Sequence, residues 1–152
     1  MDAVDRAILR ELVGDARISN RELALRVGLS EAQCSRRLHG LREAGIILRY
    51  TAILDPTLVD RPVEVLTTFK LASTDATTLH PFEAAVAAIP AIVHFSRVAG
   101  SIDYYAVLYV ENVASLDQLL GAVFSRLPGI ARFDVSIVVR TIERSSGPNL
   151  RT

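Results

Sequence analysis

The 152-residue chain contains no tryptophan, one cysteine, one lysine and three histidines. Each scarcity removes a class of chemistry. With Cys34 alone, neither an intrachain disulfide framework nor a cysteine-based zinc site can form, and the thiol reads as a small core residue rather than a redox sensor. His80 and His94 read as a surface residue and a strand residue, so neither metal nor cofactor is expected. Apolar stretches are short or punctuated, as in residues 84–93 with Pro90 inside, and none approaches the roughly 18 residues that would span a bilayer. The first twelve residues carry Asp2, Asp5, Arg6, Arg10 and Glu11, unlike a secretory leader, which predicts a cytoplasmic protein. Nucleophile–base pairs, paired carboxylates and glycine-rich phosphate loops are also missing, so the sequence predicts no enzyme.

A net charge is lacking too. Lys+Arg and Asp+Glu both total 17, which at face value argues against a nucleic-acid partner. The average conceals an asymmetry. Residues 17–50 hold Arg17, Arg21, Arg26, Arg36, Arg37, Arg42 and Arg49 against Glu22, Glu31 and Glu43, so seven minus three gives +4. Residues 51–152 hold eight basic and ten acidic groups, giving −2.

What is present is a change of hydrophobic period near the same boundary. Val4, Ile8, Leu9 and Leu12 recur at helical spacing, followed by two shorter sets, Leu23-Ala24-Val27 and Cys34-Leu38-Leu41. Ser19 with Glu22 and Ser30 with Gln33 have capping-box spacing, and Gly28 lets the chain turn between the two short helices. Gly45 ends the third helix, and residues 46–54 read as an extended wing closed by Asp55-Pro56. From Val63 the alternation predicts strands at Val63–Leu71, Ile92–Val98, Tyr104–Val110 and Ile130–Ile142. Helices are expected at Thr78–Ile89 and from Asn112 through Leu127. The order βαββαβ is the ferredoxin-like split motif. The predicted fold is α+β: a winged helix-turn-helix over 1–50, a linker strand or hinge over 51–62, the ferredoxin-like domain over 63–144 and a tail over 145–152.

Both faces of the predicted sheet look apolar, since Tyr105, Val107 and Tyr109 alternate with Ala106, Leu108 and Val110. Two helices cover only one face, so the other is expected to meet a second copy of the chain, giving a homodimer. The alternative is that the N-terminal helices fold onto it.

In a helix-turn-helix the second helix presents its N-terminal half to the major groove. With Cys34, Leu38 and Leu41 turned inward, Glu31, Gln33, Arg36, Arg37 and His39 face outward. Arginine suits guanine and glutamine suits adenine in that groove. Ser30, at the helix N-terminus, is placed for a phosphate, and Arg17, Arg21 and Arg49 for backbone contacts. Double-stranded DNA is therefore the expected partner.

The motifs Asp2-x-x-Asp5-x-x-Ile8-Leu9, Val27-Gly28-Leu29-Ser30, Leu41-x-x-x-Gly45-Ile46-Ile47 and Leu54-Asp55-Pro56 resemble the DNA-binding domain of the Lrp/AsnC feast/famine regulators. Val98-x-Gly100-x-x-Asp103-Tyr104, Leu127-Pro128-Gly129-Ile130 and Ser136-x-x-Val139 resemble their effector and assembly domain. The resemblance implies a transcription regulator whose assembly or operator affinity responds to an amino acid or related metabolite. It also implies a homodimer assembling to a tetramer or octamer. It places the effector near Ala99, Gly100, Ser101, Ile102, Asp103 and Tyr104, with Asp134 and Ser136 from the facing strand. Turn amides there could hold a carboxylate and Asp103 an ammonium group. Ser101 departs from the acidic or bulkier polar residue of many members. Two other readings stay open: a sirohaem-decarboxylase-like enzyme of the same architecture, and a metabolite sensor without DNA binding.

Overall fold

The computed structural model describes residues 1–142. These divide into two compact units that meet at Ile53 and Leu54. The predicted tail, and residues 143 and 144 of the predicted second domain, lie outside the described residues.

The first unit is three helices: α1 (Ala3–Gly14), α2 (Asn20–Arg26) and α3 (Glu31–Glu43). Their apolar stripes meet in a small core of Ile8, Leu9, Leu23, Ala24, Cys34, Leu38 and Leu41. The Ser19 hydroxyl accepts the Glu22 amide, capping α2, but the return half of the predicted box does not form. The Glu22 carboxylate goes instead to Arg26 one turn on, at 2.6 Å, where an ion pair competes for the same oxygens. At α3 the box is complete, with the Ser30 hydroxyl accepting the Gln33 amide and Gln33 Oε1 accepting the Ser30 amide. A further complete box joins Asp2 and Asp5 at the start of α1. Gly28 supplies the turn between α2 and α3 with φ of 70°, a conformation that strains residues with a Cβ. The predicted wing is not a strand: residues 48–54 are irregular, and no ladder partner lies among the described residues.

The second unit opens with a 3-10 turn, Pro56–Val59, and continues as β1 (Val63–Leu71), α4 (Ala76–Ala87), β2 (Ile92–Arg97), β3 (Tyr104–Val110), α5 (Val113–Ala122) and β4 (Ile130–Ile137). The sheet order is β2-β3-β1-β4, and each neighbouring pair is antiparallel. That is the ferredoxin-like topology. Helix α4 starts two residues before its predicted position because the Asp75 carboxylate accepts the Thr78 amide. Helix α5 ends at Ala122, and residues up to Leu127 tighten into a 3-10 turn with Leu127 N–H donating to Phe124 C=O. Strand β4 stops at Ile137, five residues before the predicted end; Val138 still donates to Glu64 C=O, but β1 starts at Val63 and offers no ladder further on.

One sheet face carries Val65, Phe69, Leu71, Tyr104, Ala106, Leu108 and Val110 against Leu79, Phe82 and Val86 of α4 and Leu116 of α5. Phe69, Phe82 and Phe124 interlock with ring centroids 5.4 and 5.5 Å apart, favourable edge-on and tilted distances. Gly129, at φ 69°, lies so close to Thr78 that a side chain there would collide, which fixes the turn into β4 beside α4. The opposite face is less apolar than predicted. Tyr105, Val107 and Leu66 form its middle, but Lys70 and Thr68 of β1 pair with Arg132 and Asp134 of β4, and His94 and Ser96 line β2.

Candidate functional site

Two groups of sequence-singled residues fall on the two units. In the first, Arg17, Arg21, Ser30, Glu31, Gln33, Arg36, His39 and Arg49 are all exposed. The buried stripe of Cys34, Leu38 and Leu41 turns Glu31, Gln33, Arg36 and His39 outward along α3. Gln33 and Arg36 border a shallow depression together with Leu29 and Arg37. Burial pushes the Cys34 thiol pKa up, which keeps it protonated and suits a packing role.

Arg37 behaves differently from its neighbours. It is half-buried, and Arg37 Nη1 donates to Asp2 Oδ2 and Asp5 Oδ1, both at 2.7 Å. The Asp5 amide and then Arg37 hold the Asp2 carboxyl below the usual carboxylate range. Arg26 is bound in the same way, by Glu11 at 2.9 Å and Glu22 at 2.6 Å. Arg42 donates to the Tyr50 hydroxyl at 3.2 Å and lies over its ring. The +4 of residues 17–50 therefore overstates the free positive charge. Residues 1–16, with two basic and four acidic groups, carry −2 and supply Asp2, Asp5 and Glu11 to those arginines. The spacing of Asp2 and Asp5, the same as that of the two serine capping boxes, is a signal that could have found half of this arrangement; the arginine partner, 32 residues beyond Asp5, has no local signal.

In the second unit, Ala99, Gly100 and Ser101 are exposed in the loop between β2 and β3, with Ile102 half-buried. Asp103 is only 8% exposed, and both its oxygens are used. Oδ1 accepts from Lys70 Nζ at 2.9 Å and Oδ2 from the Leu71 amide at 2.8 Å. Those two donors, the amide first, hold its carboxyl below the ordinary range. An incoming ammonium group would have to displace Lys70, so Asp103 braces β1 rather than standing open to a ligand. Lys70, unremarked in the sequence apart from being the only lysine, thus belongs beside the loop. Tyr104 is also drawn away from it: its ring stacks on Phe95 and its hydroxyl donates to Glu83 at 2.6 Å. Burial, then Glu83, pushes its pKa up to about 12. Asp134 and Ser136 are exposed on the open sheet face, with Asp134 paired to Arg132.

Among the described residues no helix is long and apolar enough to cross a membrane, and no three His, Cys, Asp or Glu side chains gather as a metal-holding group.

Comparison with known proteins accounts for both units. Residues 1–42 match the AsnC-type helix-turn-helix domain, and residues 64–148 match the Lrp/AsnC ligand binding domain. The leucine-responsive regulatory protein of Escherichia coli K12 is 34% identical over 152 residues, covering 100% of this chain and 93% of that protein. Its namesake from Haemophilus influenzae is 33% identical over 146 residues, covering 96% and 88%. Among solved structures, an AsnC family transcriptional regulator from Agrobacterium tumefaciens superposes with a TM-score of 0.91 at 31% identity, covering 99% and 97% of the two chains. A transcriptional regulator from Neisseria meningitidis, solved as its L-Met complex, gives 0.92 at 25% identity over the same shares. A helix-turn-helix with an exposed, capped second helix, joined to a ferredoxin-like sheet and matched end to end by such relatives, means that the chain belongs to the Lrp/AsnC family of DNA-binding transcriptional regulators.

Proposed function

We propose that this chain reads a specific DNA sequence through α3 and that an amino acid or a related small metabolite, bound at the second unit, shifts its operator affinity or assembly. The observation that carries the DNA half is the outer surface of α3. Its N-terminal amides are ordered by a complete capping box, and Arg36 stands exposed one turn further on, where a guanidinium can reach guanine O6 and N7. Arg17, Arg21 and Arg49 supply phosphate contacts that set register without reading sequence. The amino-acid half rests on relatives: one is named leucine-responsive, and one was solved with L-Met.

The exposed amides of Ala99 to Ser101 are the part of the loop suited to an effector carboxylate. With Asp103 committed to Lys70 and Leu71, the ammonium group would fall to Asp134 or Ser136 on the open sheet face, supplied by a neighbouring copy. The working form is a homodimer or a larger ring of dimers in the cytoplasm, with residues 51–62 as the hinge. No observation favours the enzyme or the sensor without DNA.

The test has two arms. Repeated selection from a random duplex library should enrich a near-palindrome with half-sites about one helical turn, or a multiple, apart. A thermal-shift screen of the twenty amino acids should raise the melting temperature for at least one, because a ligand that binds only the folded state stabilises it. Failure to enrich any duplex overturns the DNA half. No shift at millimolar concentration overturns the effector half.

A further inference from the structure

The two acidic residues at the start of α1 form a closed ring with Arg37, and every carboxylate oxygen in it has an assigned donor. Asp2 Oδ1 accepts the Asp5 amide at 2.8 Å and Asp5 Oδ2 accepts the Asp2 amide at 3.0 Å, which is the capping box. The remaining oxygens, Asp2 Oδ2 and Asp5 Oδ1, both take Arg37 Nη1. The capping box that opens α1 and the side chain that leaves the middle of α3 are thus one hydrogen-bonded unit. Arg37 sits between Cys34 and Leu38 of the buried stripe, so it lies where α3 rolls against α1. A link there sets the rotation of α3 about its axis. Two carboxylates and one guanidinium sum to −1, so the ring has no net attraction for a phosphate.

We infer that Arg37 is a positioning residue for DNA recognition: locked to Asp2 and Asp5, it fixes the rotation of α3 so that Arg36 meets the bases, and it does not itself read DNA. This rests on the DNA-reading role proposed above for α3. An arginine that reads bases or phosphate would be released by removing its carboxylates, and DNA affinity would rise. An arginine that holds the helix would lose its hold, and recognition would fall although a negative charge has been removed.

The experiment uses the full chain, a duplex selected by the wild-type protein from a random library, and a scrambled duplex of the same composition. Asp5→Asn is expected to weaken binding to the selected duplex by about tenfold, the scale of one charged hydrogen bond, and to leave the scrambled duplex nearly unchanged. Arg37→Lys should keep most of the specific affinity, because a single nitrogen bridges both carboxylates and an ammonium group can do the same. Arg37→Ala should reduce specificity while leaving the salt slope of binding where it was. If Asp5→Asn lacks the helical circular dichroism of the wild type, Asp2→Asn, at the more exposed carboxylate, gives the same reading. Tighter binding of both duplexes by the Asn variant overturns the inference, as does a fall of about 0.9 in the salt slope with Arg37→Ala, the signature of a lost phosphate contact. A wild-type chain that enriches no duplex defeats the DNA role itself, an outcome distinct from either of these.

Discussion

The two units are held together by different means. The sheet unit buries Phe69, Phe82, Phe124 and Tyr104 in one continuous core, while the helical unit buries only aliphatic side chains and Cys34. The smaller core is supplemented at its surface, where Arg26 joins Glu22 of its own helix to Glu11 of α1 and Arg37 of α3 joins Asp2 and Asp5. In the sheet unit, charge acts from within, where Asp103 ties Lys70 to the β1 backbone and Glu83 accepts from the buried Tyr104 hydroxyl. A small helical domain that must also present positive charge divides its arginines between holding its own fold and meeting a ligand. Counting charges along the sequence cannot make that division.

The largest effect that would sharpen this contrast is Phe82→Ala. Removing a wholly buried ring that touches Phe69, Phe95 and Tyr104 should cost about 3–5 kcal/mol in the sheet unit. Hydrogen exchange should show protection lost across residues 63–137 and kept in α1 to α3. Equal loss in both units would break the comparison, since it would make them one cooperative core.

Next comes Asp103→Asn, expected to cost about 1–3 kcal/mol at neutral pH through the weakened Lys70 and Leu71 bonds. The folded carboxyl titrates below its unfolded value, so its stabilisation is present above the ordinary carboxylate range and is lost as pH falls through the depressed pKa. Denaturant melts of wild type and variant should therefore converge at low pH. A gap that persists there would mean that packing, not ionisation, carries the effect.

Thr67→Val should act in the opposite direction. The Thr67 hydroxyl is wholly buried in the sheet core and has no hydrogen-bond partner among the described residues, so replacing it with a methyl should raise stability by about 1 kcal/mol. A loss on denaturant melting would reveal a partner for that hydroxyl. Smallest is Arg26→Ala in the helical unit, whose exposed ion pairs should matter only at low salt. A melting-temperature drop that survives high salt would show that the Arg26 stem packs as well as pairs.

Much of this division could be anticipated, and its failures have physical causes. The bounds of β1 followed from its alternation, and those of β3 from the turn over residues 100–103 that leads into an unbroken apolar run. Strand β4 was drawn too long because Val138, Val139 and Ile142 are strand-formers, while a strand exists only where a neighbour offers a ladder. The extended segment over residues 46–54 forms no strand for the same reason. On α3 the buried stripe was readable at helical spacing, and with it the exposure of Arg36 and His39. The partner of Arg37 was not readable, since Asp2 and Asp5 meet it only after three helices have packed. Asp103 looked like a turn residue open to a ligand; its capture by Lys70 depends on strand register, which composition does not encode.

The most direct test of this partition is the salt dependence of duplex binding for Arg21→Ala and Arg26→Ala beside the wild type. Each phosphate contact contributes about 0.9 to the slope of log affinity against log salt. Arg21, exposed and outside the ion pairs, should take about that much from the slope when removed, and Arg26, held by Glu11 and Glu22, should take nothing. Equal reductions in the two variants would contradict the division between arginines that hold the fold and arginines that meet DNA.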